Sequence, residues 1–214
     1  MSRKQICALV FNGVQGLGFQ TGKKILQTMP AAQTFLTSQQ GAGGGECVLS
    51  TQLPKKDLDR TTIVPHFDIS DDDNVWELEE EIKRKGGLNI LAIHTRTMDN
   101  LTSANLSQQA TEILNIIYWD TRNKLRAFSP LIRHESRIVI FTSRLPPVNE
   151  EINKEHEELV KKAQERFDKA PTIYHVDGLI NQFARAINSD RCLQEGWPPL
   201  PLTVARMAKN TCIR

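Results

Sequence analysis

Apolar positions fall along this chain in two alternating rhythms. Ile6-Cys-Ala-Leu-Val-Phe11 is a continuous apolar run, the pattern of a strand buried on both faces. From Gly16 to Gln27 the spacing of Leu17, Thr21, Lys24 and Ile25 predicts a helix. Thr34–Thr37 predicts a second strand and Thr62–Asp68 a third, with Pro65 an awkward residue inside it. Ser70-Asp-Asp-Asp73 supplies an N-cap and an acidic first turn for a helix over Asn74–Lys85, and Gly86-Gly87 ends it. Leu88–Ile93 predicts a fourth strand. A long amphipathic helix is expected from Asn105 to Leu131, its apolar face marked by Leu106, Ala110, Ile113, Leu114, Ile117, Leu125 and Phe128. Arg137–Thr142 predicts a fifth strand. Strands and helices alternating in this way call for right-handed crossovers and a parallel sheet, the doubly wound α/β class that binds nucleotides.

After the fifth strand the rhythm breaks. Asn149–Asp168 is charge-rich and helical, with Leu159, Ala163 and Phe167 as its stripe. Val176, Leu179, Ile180, Phe183 and Ile187 mark another helix. These two form a helical insertion, residues 146–195, within a single domain over 1–214. Gly196-Trp-Pro-Pro-Leu-Pro201 stops them, and Leu202–Asn210 is a last short helix. Gly41, Gly43, Gly44 and Gly45 predict a mobile loop, and there is no internal repeat.

Composition narrows the function. The 214 residues, 39% hydrophobic and 24% charged, suffice for an ordinary globular core. With 27 Lys+Arg against 25 Asp+Glu the net charge is +2, which argues against a strongly basic nucleic-acid binder. The longest apolar run is far short of the roughly 20 residues that a membrane span needs, so no membrane partner is expected. Met-Ser-Arg-Lys-Gln leads into it without a small-residue cleavage site, and no signal peptide is expected. Cys7, Cys47, Cys192 and Cys212 form no Cys-x-x-Cys pair and no His/Cys cluster, so no metal is expected. Reduced thiols in the cytoplasm are the simplest reading.

The first strand runs into Phe11-Asn12-Gly13-Val14-Gln15-Gly16-Leu17-Gly18. Glycines after a buried strand and before a helix let backbone approach a pyrophosphate, and the helix N-terminus favours the anion. A tight connection that needs glycine for geometry alone is the other reading. The stretch resembles the Thr-Gly-x-x-x-Gly-x-Gly opening of the short-chain dehydrogenase/reductase superfamily, with Gly16 and Gly18 standing for its second and third glycines. Phe67-Asp68-Ile69 resembles the family's Leu-Asp-Ile, and Gly86-Gly87-Leu88-Asn89-Ile90-Leu91 its Gly-Gly-Leu-Asp-Val-Leu. Pro130-Leu131-Ile132 is similar to its Pro-Leu-Ile. Glu195-Gly196-Trp197-Pro198 resembles the Glu-Gly-Trp-Pro of its carbonyl reductases, a subgroup that also carries a helical insertion. The resemblance runs in order along nearly the whole chain. It implies a doubly wound, Rossmann-like parallel sheet and a dinucleotide site at Asn12, Gly13, Gly16, Leu17, Gly18 and Asp68, with Asp68 at the adenine. Against the family's pattern the chain is truncated, lacking the last strands, so its fifth strand or that strand's neighbour is expected to be an exposed edge or covered by a partner.

The same resemblance implies four side chains for chemistry. A Tyr donates a proton to the substrate carbonyl. A Lys four residues on lowers the Tyr pKa and holds the ribose. A Ser on the fifth strand binds the substrate oxygen, and an Asn on the long helix organises a water. Here the Tyr-x-x-x-Lys segment reads Leu202-Thr203-Val204-Ala205-Arg206. Ser143 stands at the serine and Ile117 at the asparagine, so Ser143 and Arg206 are vestigial. Leucine has no proton to give, and removing one positioned acid costs about 10²–10⁴-fold. Tyr118 points roughly 100° away from Ile117 on an α-helix, and Tyr174 is expected to pack. His94, in Ile93-His94-Thr95-Arg96 where the family has Asn-Asn-Ala-Gly, is expected to be a structural hydrogen-bonder. Carbonyl reductases grip the 2′-phosphate of NADPH with a Lys and an Arg at positions that read Gln15 and Gln39. NADPH binding is therefore expected to be weak or absent. The resulting expectation is a catalytically silent, carbonyl reductase-like scaffold for an unidentified protein partner or for itself. The alternative is an NADPH-dependent carbonyl reductase acting on quinones or other carbonyl compounds. A third reading is a truncated product without activity of its own.

Overall fold

The opening apolar run forms β1 (Ile6–Val10) in a computed structural model that describes residues 6–39, 49, 51–95, 105–142 and 154–212. It joins β2 (Ala32–Thr37), β3 (Thr61–Val64), β4 (Leu88–Ile93) and β5 (Ile132–Ile140) in one parallel sheet of order β3-β2-β1-β4-β5. Ala8 of β1 sits opposite Thr34 on one side and Ile90 on the other. β1 reads as continuously apolar because both faces of the sheet are covered. Cys7, Leu9, Phe35, Leu91 and Ile93 face α3 (Asp72–Arg84) and Phe128. Ala8, Val10, Leu36 and Ala92 face α1 (Gly16–Thr28). A short α2 (Lys55–Leu58) precedes β3.

The chain forms two compact units. Met1–Thr95 with Asn123–Phe141 is the sheet and its covering helices. Arg96–Arg122 with Thr142–Arg214 is the second, whose described residues are mostly helical. The helices downstream of β4 are α4 (Leu106–Leu114), a π-helical turn (Asn115–Trp119), α5 (Asp120–Phe128) and a 3₁₀ turn (Ser129–Leu131). After β5 come α6 (Lys154–Asp168), α7 (Ile173–Asn188) and α8 (Pro201–Thr211). The helices expected as an insertion, α6 and α7, share one core with α4 and α8, built on Ile113, Phe167, Ile180, Phe183, Trp197 and Met207.

Several expectations shift. The third strand stops at Val64 rather than Asp68, because Pro65 offers no N–H and His66 takes a φ of 52°. α3 starts at Asp72, since Asp71 accepts hydrogen bonds from the N–H groups of Asp73 and Asn74. The fifth strand begins at Ile132, five residues early, and pairs with β4 through a bulge between the registers Leu88↔Ile132 and Ile90↔Arg137. Glu135 in that bulge has a φ of 63°. Arg133 explains the detour: its guanidinium donates to the carbonyls of Lys85 and Gly86 and to Asn89 Oδ1, closing the end of α3. Leu106, read as an apolar-face residue, is 48% exposed, and Leu17, part of the spacing that predicts the first helix, is 59% exposed. The glycine loop at 41–45, Cys47 and Ser143 lie outside the described residues. Among the described residues no helix is long and apolar enough to cross a membrane, and no His/Cys/Asp/Glu group is placed to hold a metal.

Candidate functional site

In the first unit the strand order reverses between β1 and β4, and a doubly wound sheet takes ligands past the carboxyl ends of its strands at such a point. The turn leaving β1 lies there. Phe11 N–H donates to Ala92 O at 2.9 Å, which holds the start of the turn to β4. Asn12 follows with a φ of 52°, a left-handed conformation that asparagine tolerates. Its side-chain amide donates to His94 O at 2.8 Å and its N–H to Thr37 Oγ1 at 3.1 Å. Gly13 N–H donates to Thr37 O at 3.0 Å. The amides of residues 12 and 13 are thus engaged by β2. Gly18 lets α1 approach the turn, for a Cβ there would sit 2.1 Å from Asn12 O. α1 has no side-chain N-cap and no acidic residue in its first turn. Its orphan N–H groups and positive dipole end suit an anion at Gly16, Leu17 and Gly18.

Around this turn the side chains are mostly structural. His94 is 5% exposed, hydrogen-bonds with Thr21 Oγ1 through Nε2 at 3.2 Å and stacks on Phe141 with centroids 3.8 Å apart. Asp68 is exposed, and its carboxylate accepts from Ser70 N–H at 2.8 Å, closing the loop before α3. Phe11 packs against Phe67 and Phe128 at 5.5 and 5.4 Å, and Lys124 Nζ lies 4.7 Å from its ring centroid. Gln15 and Gln39 are exposed and neutral. The open N-terminus of α1 suits an anion, and Gln15 and Gln39, where the resemblance implies a Lys and an Arg, carry no charge.

The second unit carries the positions implied for proton transfer. Ile117 is 8% exposed, sits in the π-helical turn and belongs to the apolar core. Leu202 is half-buried against the same core, and Arg206, also half-buried, follows one turn later on α8. Tyr118 is fully buried and donates to Asp177 Oδ1 at 2.5 Å. Burial first, and the bond to Asp177 second, push its pKa well above the ordinary tyrosine range. Asp177 also accepts from Arg122 Nε and Nη2, each at 3.3 Å. Tyr174 does not pack as expected. It is 76% exposed in the first turn of α7, with the Arg122 guanidinium 5.7 Å from its ring. The Tyr118–Asp177–Arg122 network went unread in the sequence. Its one local signal is the i, i+4 spacing of Tyr118 and Arg122, and Asp177 lies 55 positions beyond Arg122.

No protein-family model matches the chain, and no curated protein matches it by sequence. Solved structures do. Menthone neomenthol reductase from Mentha piperita superposes with a TM-score of 0.74 at 18% identity, covering 98% of this chain and 84% of that one. Salutaridine reductase from Papaver somniferum gives 0.72 at 18% identity, covering 96% and 79%. A short-chain dehydrogenase from Streptomyces avermitilis gives 0.52 at 15% identity, covering 67% and 51%. With its parallel sheet, glycine turn and flanking helices, the chain has the Rossmann-like fold of the short-chain dehydrogenases/reductases.

Proposed function

We propose that this protein is a catalytically silent relative of the carbonyl reductases that works as a binding scaffold for a protein partner. One observation carries the reading: apolar side chains packed on one core, Leu202 and Ile117, stand where the family resemblance implies a phenol and an asparagine. Reducing a carbonyl takes a hydride and a proton, and a leucine supplies no proton. Tyr118 does not replace it, because its hydroxyl is buried and committed to Asp177. Arg206 keeps a positive charge but has no phenol one turn earlier whose pKa it would lower. Ser143 on this reading is a remnant. The reading places the protein in the cytoplasm, where Cys7, Cys192 and Cys212 stay reduced.

A second reading has its own support. The uncapped start of α1 suits a dinucleotide pyrophosphate at Gly16, Leu17 and Gly18, as in an NADPH-dependent reductase of quinones or other carbonyls. Titrating the purified protein with NADPH while following nicotinamide fluorescence, then adding a quinone, separates the two. The scaffold reading expects no cofactor consumption above a heat-treated control. Saturable binding followed by steady NADPH oxidation favours the reductase and ends the scaffold reading.

A further inference from the structure

The crevice past the carboxyl ends of β1 and β4 is open at one end and closed at the other. At the open end, Gly16 and Leu17 begin α1 exposed. At the closed end, His94 follows the last residue of β4 and reaches Thr21 on the second turn of α1. The Thr21 hydroxyl donates to Leu17 O at 2.9 Å. It has one proton to give, so Nε2 of His94 is the donor in the 3.2 Å bond to Thr21 Oγ1. The imidazole also stacks on Phe141, next after β5, with centroids 3.8 Å apart and planes 21° apart. The backbone on both sides is tied down. His94 O accepts from Asn12 Nδ2 at 2.8 Å, and Phe141 N–H donates to Ile93 O at 3.0 Å. Contacts therefore run without a break from α1 through His94 to the end of β5, and His94 is 5% exposed. A doubly wound sheet takes dinucleotides across this crevice, where the strand order reverses. The start of α1 fits their phosphates. The room beside β4 does not fit a second planar ring, because His94 already fills it.

We propose that His94 is a built-in stopper of this crevice, an autoinhibitory contact that excludes the ring of a dinucleotide while leaving the anion end of the site open. A dinucleotide then enters only in the minor state in which the imidazole has left Thr21 and Phe141, and its affinity is lowered by the population of that state. The stopper goes beyond both functional readings and rests on neither. Steady NADPH oxidation ends the scaffold reading and leaves the stopper standing, whereas an affinity that ignores residue 94 ends the stopper alone. The probe is NADH, which brings the diphosphate and two rings without a 2′-phosphate. It is titrated into the whole chain without a carbonyl substrate, and binding is followed by nicotinamide fluorescence. His94→Ala is expected to bind about tenfold more tightly than the parent, the gain for a crevice open about one tenth of the time. His94→Phe keeps a ring of similar size and should gain nothing. Phe141→Leu removes only the stacking partner and should gain about threefold. Unfolding midpoints certify each fold, and Phe141→Leu, at a half-buried position, carries the test if His94→Ala does not fold. Equal affinities of the parent and the folded His94→Ala or Phe141→Leu variants, a gain in His94→Phe as large as in His94→Ala, or no saturable binding by any variant overturns the stopper.

Discussion

At the scale of single residues, the glycine turn separates two demands that look identical in sequence. Gly16 has a φ of 53° with nothing near its missing side chain, so Gly16→Ala meets only left-handed backbone strain, about 1–2 kcal/mol. Gly18 is ordinary in φ but lies against a backbone carbonyl that cannot swing aside, and Gly18→Ala is expected to cost about 2–3 kcal/mol or more. Urea unfolding of the two variants checks the order. Cys7 gives a second prediction. Burial pushes its thiol up to about 11 from an unfolded value of 9.0. The folded chain therefore holds that proton more tightly. The stability it contributes is fully present below about pH 9 and is lost as pH rises through about 11. Cys192 and Cys212 are raised to about 11 as well, again chiefly by burial. The free energy of unfolding, measured from pH 8 upward, should fall across that window, and less steeply in Cys7→Ala. Stability that stays level through pH 11 would contradict the burial of these thiols.

At the scale of elements, boundaries follow from side chains reaching across. Pro65 ends β3, Asp71 starts α3, and Arg133 draws the bulge into β5. The π-helical turn replaces what periodicity reads as uninterrupted α-helix. It places both Ile117 and Tyr118 in the core, although a polar hydroxyl there needs an acceptor. Asp177 of α7 is that acceptor and also holds Arg122. Removing it by Asp177→Ala leaves a buried hydroxyl and a nearly buried guanidinium without their partner, an expected loss of roughly 2–3 kcal/mol. Asp177→Asn keeps one acceptor oxygen and should lose less. Thermal unfolding of the pair tests this, and equal losses would argue that Tyr118 and Arg122 find other partners.

At the scale of the whole molecule, the scaffold reading predicts that a phenol placed at position 202 confers no chemistry. Leu202→Tyr with Arg206→Lys rebuilds the phenol and its cationic neighbour at the right spacing on α8. The expected outcome is no NADPH oxidation, because Gln15 and Gln39 remain neutral and Ile117 remains apolar. Turnover in that double variant, read as loss of nicotinamide absorbance, would show that the cofactor site is intact and only the acid was missing. The parallel sheet, the place of the glycine turn and the apolar identity of the residues that the family resemblance aligns with proton transfer were all legible in the sequence. Each is written locally, in an unbroken apolar run, a glycine spacing, or one residue that lacks a hydrogen to donate. Only the tertiary structure decided what Gly18 approaches, which carbonyls Arg133 closes, that Tyr118 meets Asp177, and that Trp76 stands uncovered. Those facts depend on atoms brought together from distant parts of the chain, and a pattern of period two or 3.6 carries no record of which surface a helix will meet.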